Sequence, residues 1–301
     1  MRALVTGGAG FIGSSLVDIL IAEDYEVVVV DDLSTGKKQN LNQKAQFYSM
    51  DLRDKELRRV FKDKVDVVFH YAAQARVRVS LEDPMFDAGV NINGAVNLLE
   101  ASKGEVDKIV YASSGGAVYG EPEYLPVDEN HRIAPLSPYG VSKYIVEEYL
   151  RVYQGIYGLP YAALRYGNVY GPRQDPYGEA GVIAIFTNKM LRGENPVING
   201  DGEQTRDFIY VSDAVEAGVR AAVKKATGPI NIATGVETSV NEIYRVIKKV
   251  TGSDVEAVYG PAIKGEVNRI FLDVQRAEKA LGWKAKVGLE EGIERFVEYL
   301  K

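Results

Sequence analysis

The chain has 301 residues, enough to bury one large core or two modest ones. Its net charge of −6, with no Lys/Arg run, argues against nucleic acid as a partner, and the absence of cysteine excludes disulfides, thiolate metal sites and a cysteine nucleophile. Two histidines, His70 and His131, leave no His-rich metal site, and no apolar stretch reaches the ~18 residues of a membrane span. MRALVTGG runs straight into a strand pattern without the layout of a signal peptide, so a soluble, cytoplasmic protein is expected, in a reducing or a hot interior.

In chain order, β-branched runs predict strands over Ala3–Thr6, Glu26–Asp31, Gln46–Ser49, Val65–Tyr71, Asp107–Ser113 and Tyr161–Tyr166. Between them, helical patterns cover Phe11–Ala22, Lys55–Phe61, Met85–Ser102 and Pro138–Tyr157. Strands alternating with helices imply a parallel sheet covered on both faces. After Gly167 the pattern loosens: Gly and Pro cluster at Gly171-Pro172, Asp175–Gly178 and Asn199–Gly202, and short helices are expected at Val182–Arg192, Ser239–Val250 and Leu289–Tyr299. The runs Val211–Lys225 and Pro229–Ile232 are placed back on the first domain. The expected division is 1–167 with return segments in 205–233, then a smaller, loop-rich domain over 168–301.

The first turn carries VTGGAGFIG, with Gly7, Gly10 and Gly13 between a strand and a helix. Such glycines allow a tight turn, let the backbone approach a pyrophosphate and bring helix against strand, while the helix N-terminus offers free N–H groups. The second strand ends at Asp31-Asp32, about 20 residues on, where an acidic residue can bind the adenosine ribose hydroxyls and repel a 2′-phosphate. This constellation predicts an α/β Rossmann-type doubly wound sheet that binds NAD rather than NADP. Asp51 is read as accepting from the adenine amino group with Leu52 packed on the ring, and a solvated loop aspartate is an equal reading. Small Ala72 and Ala73 leave room for cofactor beside His70, which reads as a core histidine.

In Ser137-Pro138-Tyr139-Gly140-Val141-Ser142-Lys143, Ser137 suits an N-cap and Pro138 the first helical position. Tyr139 and Lys143 then share one helix face. A phenol must fall about 3 pH units, about 4 kcal/mol, to act as a base near neutrality. An ammonium about 6 Å away supplies roughly 3 kcal/mol at an effective dielectric near 20, and an oxidised nicotinamide adds a second positive charge.

With these motifs together the chain resembles the extended short-chain dehydrogenase/reductase family, in the branch acting on nucleotide-diphosphate sugars. The carriers are TGGAGFIG, the Asp pair at 31–32, HYAA at 70–73, NING at 91–94, SSGGAVYG at 113–120, SPYGVSK, LRYGNVYGP at 164–172 and DGEQTRDFIYVSDA at 201–214. The resemblance implies Tyr139 as catalytic base and Lys143 as the lysine that holds the nicotinamide ribose. It implies that Phe11, Ile12, Ser34, Thr35, Gly36, Gln74, Ser113 and Tyr166 line the cofactor, with Asn91 bracing strands beside it. It implies that Asn168 and Arg206 hold the substrate diphosphate, with Val182, Pro196, Val197, Ile198 and Gln204 around the uridine and its phosphates.

Two departures stand out. The family's usual Ser or Thr, which bonds the sugar C4 hydroxyl, falls at Gly115. Ser114, a water, or direct contact from Tyr139 can stand in, and direct contact is the preferred reading, with Ser114 kept as a catalytic candidate. Next come Gly116-Ala117, where related dehydratases and decarboxylases carry carboxyls for elimination, so no acid–base pair for elimination is present. The second departure is Ile263-Lys264-Gly265-Glu266, which lacks the family's usual arginine and leaves Arg269 as its stand-in on the diphosphate.

The resemblance thus implies reversible epimerisation at C4 of a UDP-hexose, UDP-galactose to UDP-glucose, by transient oxidation with tightly bound NAD. The rivals are another nucleotide-sugar epimerase, a reductase or dehydratase, and an NAD-sensing binding protein. Relatives pair the helices Met85–Ser102 and Pro138–Tyr157 between subunits, so a homodimer is expected, without metal.

Overall fold

The computed structural model describes residues 1–177, 181–263 and 267–301. Its centre is a seven-stranded sheet: β1 (Arg2–Thr6), β2 (Glu26–Asp31), β3 (Gln46–Ser49), β4 (Val67–His70), β5 (Lys108–Ser114), β6 (Tyr161–Tyr166) and a last strand, Gly228–Ile232. The spatial order is Gly228–Ile232, β6, β5, β4, β1, β2, β3, and every pairing is parallel. The order reverses between β1 and β4, which opens a crevice at the carboxyl ends of those strands.

Alternation along the strands explains the layering. Val5, Val29, Phe69, Val110 and Leu164 point to one face, with Leu16, Val17 and Leu20 of α1 (Phe11–Ala22) and Val215 of the helix Val211–Val223. Leu4, Val28, Val68, Ile109 and Ala163 point to the other, with Leu98, Val146 and Leu150. A sheet buried on both faces needs such near-continuous apolar strands. Helix Val211–Val223 packs beside α1, and Gly228–Ile232 extends the sheet past β6.

The remaining chain forms short strand pairs: Asn168–Tyr170 with Phe208–Tyr210, Thr205–Arg206 with Thr238–Ser239, and Val197–Asn199 with Val258–Gly260. Helices Val182–Leu191, Val240–Thr251 and Leu289–Leu300 pack around them. Trp283 is fully buried, its Nε1 donating to the Asp213 carbonyl at 3.1 Å.

Some elements differ from the sequence expectation. The run Met85–Ser102 is three pieces: α-helix Pro84–Ala88, a π turn at Gly89–Asn93 and α-helix Gly94–Ser102. A π turn closes i→i+5 and is rare, so a helical pattern alone does not announce it. The segment Lys55–Phe61 is 3-10 rather than α. Val77–Glu82 is an additional helix, whose Val-Arg-Val alternation hid it.

Candidate active site

The crevice begins at the glycine turn. Gly7 has φ 72°, and a Cβ there would lie 2.6 Å from the Ala72 nitrogen, so the turn presses on the exit of β4. A Cβ on Gly13 would overlap the Gly7 carbonyl. Helix α1 starts without a side-chain cap and without an acid in its first turn. The N–H groups of Phe11, Ile12 and Gly13 therefore lack intrahelical acceptors and face no competing carboxylate on their own helix. This cradle fits a dinucleotide pyrophosphate.

Asp31 accepts from the Ala9 N–H at 2.9 Å and the Leu33 N–H at 2.8 Å, tying the glycine turn to the end of β2. Burial raises its pKa, and those two backbone donors oppose the rise. A Cβ at Gly36 would sit 2.8 Å from Asp31 Oδ1, so that loop passes close to the carboxyl. Asp32 is exposed and holds the Ser34 N–H and hydroxyl at 2.9 and 2.6 Å, with Thr35 exposed beside it. Asp51 is gripped by Arg53, whose Nε lies 2.9 Å from Oδ1, and this guanidinium holds the carboxyl below its usual range. Leu52 is buried and its carbonyl accepts from Asn97 at 2.6 Å. An adenine amino group at Asp51 would therefore share the carboxyl with Arg53.

His70 is a buried core histidine, as the sequence reading had it. Its Nδ1 pairs with the Thr6 hydroxyl at 2.9 Å, its ring stacks on Tyr111, and burial, helped by the Lys143 charge, lowers its pKa to about 3.

Ser137 caps the helix Pro138–Tyr157 by accepting the Gly140 N–H at 3.1 Å, with Pro138 first in the helix. Lys143 is 3% exposed, donates to the Ala112 carbonyl at 2.8 Å, and lies 5.0 and 5.8 Å from the ring centroids of Tyr111 and Tyr139. Burial lowers the ammonium pKa to about 8, against the pull of Asp87 and Glu147. Partly buried Tyr139 is pushed up to about 12 by desolvation, with a Ser114 hydrogen bond pulling it down and the Asp87 charge raising it.

That Ser114 contact bears on the missing hydroxyl. A Cβ at Gly115 would meet Leu272 Cδ1 at 2.6 Å, so the space beside residue 115 is filled by leucine. At Gly116 it would lie 3.4 Å from Asn168 Oδ1. The trimmed side chains of this strand end thus make room for Leu272 and Asn168. Ser114, which draws the phenol's pKa down, stands one residue earlier than the hydroxyl of the family pattern.

Asn91 sits in the π turn and links three elements. Its Oδ1 accepts from the Gln74 N–H at 2.8 Å, and its Nδ2 donates to the Gln74 carbonyl, Asp87 Oδ1 and Ser142 Oγ at 2.9, 3.1 and 3.1 Å. Gln74 Nε2 reaches the same Asp87 oxygen at 2.8 Å. Ala72 and Ala73 are half-buried between this brace and the glycine turn. Ser113 is buried, its hydroxyl donating to Glu147 at 2.5 Å, and Tyr166 is buried with its hydroxyl on Tyr71 at 2.6 Å and the Ala214 carbonyl at 3.1 Å. Both hydroxyls already have protein partners.

Among the diphosphate candidates, Asn168 begins a strand beside Gly116 and Arg206 is half-buried with Nη1 on the Thr205 carbonyl at 2.7 Å. Arg269 makes a two-point ion pair with Glu237 at 2.7 and 2.9 Å on an exposed edge. Gln204 donates to the Asn199 carbonyl at 3.0 Å. Val182 opens its helix half-buried, Pro196 is buried, Val197 is exposed, and Ile198 is wholly within the core, leaving only its backbone for a ligand. The Lys264-Gly265-Glu266 departure and Gly178 lie outside the described residues.

Two carboxyls escaped the sequence reading. Asp207 is buried and collects the Thr234 N–H and hydroxyl, the Gly235 N–H and the Leu272 N–H at 2.8, 2.6, 2.9 and 3.3 Å, so it holds the leucine over Gly115. Asp87 is fully buried beneath Asn91. Its i, i+4 spacing from Asn91 was the one available signal. Among the described residues no His/Asp/Glu group could hold a metal, and no helix is long and apolar enough to cross a membrane.

Comparison with known proteins accords with this geometry. A protein of Methanocaldococcus jannaschii that carries the name UDP-glucose 4-epimerase provisionally is 56% identical over 99% of this chain and 98% of its own length. The structure of UDP-glucose 4-epimerase with UDP-glucose from Thermotoga maritima superposes with a TM-score of 0.98 at 50% identity, covering 100% of this chain and 98% of the other. The Thermus thermophilus UDP-glucose 4-epimerase complex with NAD gives 0.94 at 44% identity, covering 99% and 98%. The family described as NAD dependent epimerase/dehydratase matches residues 3–233, and the chain belongs to that family.

Proposed function

We propose that the protein interconverts UDP-galactose and UDP-glucose by reversible oxidation at C4 with NAD retained through turnover. The observation that carries this reading is the Ser114–Tyr139–Lys143 cluster at the mouth of a dinucleotide cradle, with glycine and alanine at 116–117 where elimination would need carboxyls. The relatives named above carry the same activity in their names.

Helix Val211–Val223 returns to α1, Gly228–Ile232 completes the sheet, and the cofactor domain is taken as 1–167 with 205–233, the rest holding nucleotide sugar. The helix N-terminus at Phe11–Gly13 would hold the pyrophosphate, and Asp31 the adenosine ribose. Bound there, NAD supplies the hydride acceptor and the hydride's return. Tyr139 takes the C4 hydroxyl proton and later gives it back, with Ser114 bridging phenol and sugar. Lys143 alone contributes roughly 3 kcal/mol to phenolate at about 6 Å, less than a phenol at about 12 needs, so Tyr139 becomes a base only with cofactor present. Arg206 and Asn168 grip the diphosphate while glycines and a leucine face the hexose. A firmly held nucleotide and a loosely held ring let the 4-keto sugar present either face.

Exposed Met85, Phe86, Val152 and Ile156 lie on the two helical segments expected to pair between subunits, and we propose a homodimer in the cytoplasm. Purified protein incubated with UDP-galactose should yield an equilibrium mixture with UDP-glucose by liquid chromatography, without added oxidant beyond bound NAD. A 4-keto-6-deoxy product, or no conversion, would overturn the reading. Light scattering of the purified protein reads the dimer.

A further inference from the structure

The buried carboxyl of Asp87 has no place in the mechanism just described. Its Oδ1 accepts from Gln74 Nε2 at 2.8 Å and Asn91 Nδ2 at 3.1 Å, while its buried Oδ2 has no hydrogen-bond partner among the described residues. A buried, half-satisfied carboxyl is costly unless a nearby opposite charge compensates it.

The surroundings identify that charge. Around the Tyr139–Lys143 pair stand His70 from β4, Tyr111 from β5, Asp87 from helix Pro84–Ala88 and Glu147 from the catalytic helix itself. His70 stays neutral, with its pKa near 3. Glu147 is paired with Arg165 at 2.6 Å and also accepts from Ser113. Asp87 therefore carries the negative charge around this pair that has no cationic hydrogen-bond partner among the described residues.

We propose that Asp87 is a positioning residue for the reaction, bracing Gln74 and Asn91 against the catalytic helix and setting through its charge the pH range in which Tyr139 and Lys143 work as a pair. The proposal rests on the function given above. Electrostatics fixes its sign. A negative charge stabilises both the neutral phenol over phenolate and the ammonium over the amine, so it raises both ionisations together. Removing it moves both downward.

The test is Asp87→Asn in the NAD-loaded enzyme. The amide keeps an acceptor for Gln74 and Asn91 and loses the charge. Both limbs of the kcat–pH profile should move to lower pH by roughly half a unit to one unit, with KM for the nucleotide sugar changed by less than about twofold. A second measurement does not need activity: 13Cζ-tyrosine NMR of NAD-loaded protein, with the Tyr139 signal identified by its loss in Tyr139→Phe. Its titration midpoint should fall in the Asp87→Asn protein. Lower activity with unmoved limbs and an unmoved midpoint would reduce Asp87 to a structural brace and overturn the charge assignment. If the wild type fails to interconvert UDP-galactose and UDP-glucose, the functional reading falls, and the Tyr139 midpoint still decides the role of Asp87.

Discussion

Lys143 points its ammonium at the Ala112 carbonyl, 2.8 Å away, while lying 5.8 Å from the Tyr139 ring centroid. One carbonyl at the end of β5 thus fixes where the positive charge stands relative to the phenol. Tyr139→Phe removes the proton carrier and leaves the ring in place. Epimerase kcat should fall about 10²- to 10⁴-fold, with NAD content, read by absorbance after denaturation, unchanged.

The alkaline side of the pH profile belongs to Lys143. Its pKa is lowered to about 8, so the ammonium is lost as pH rises past that value and activity should decline there. Lys143→Met should abolish this limb along with most of the rate. A flat profile from pH 7 to 10 would contradict the assignment.

Ser114→Ala should lower kcat by about 10-fold or more with a small change in KM. Restoring the family hydroxyl by Gly115→Ser should not rescue it, because a Cβ at 115 lies 2.6 Å from Leu272 Cδ1. That substitution should instead cost about 1–3 kcal/mol, visible as a lower Tm, with part regained when Leu272→Ala is added.

Gly7→Ala meets two obstacles, a φ of 72° and a contact at 2.6 Å from the Ala72 nitrogen. The variant should purify with little NAD and unfold at lower temperature; a full complement of cofactor would refute the cradle assignment.

Arg206→Ala should raise KM for UDP-sugar more than Arg269→Ala. Arg269 stands on an exposed edge paired with Glu237, whereas half-buried Arg206 directly precedes Asp207, the carboxyl that holds Leu272 over Gly115. Equal effects on KM in side-by-side assays would show that the Glu237 pair opens freely.

The strands, their parallel sheet and the cradle were legible because each rests on local chemistry. Val27–Val30 is a short β-branched run buried on both faces, and Gly7 and Gly13 leave no room for a Cβ. What stayed hidden depends on packing between distant segments. Leu272 closing on Gly115 brings together residues 157 positions apart, and its position is fixed by Asp207, another segment again. Ser113 and Tyr166 occupy the right strand ends, yet Glu147 and Tyr71 claim their hydroxyls, and no spacing in the sequence announces that. Asp87 carried one local sign, its i, i+4 spacing from Asn91, while its other partner, Gln74, comes from the loop after β4.

The strand Gly228–Ile232 finishes the sheet by pairing with β6 along Ala162–Tyr166, after the chain has already built part of the other lobe. A fragment cut after Gly167 would leave the ladder of β6 open along its whole length, a sticky edge inviting other chains. The chain beyond Gly167 is therefore stitched to the sheet rather than strung after it. Neither should be obtainable alone by limited proteolysis or by expressing half the gene, and any exchange of sugar-binding parts between such proteins must keep both crossings of the seam intact.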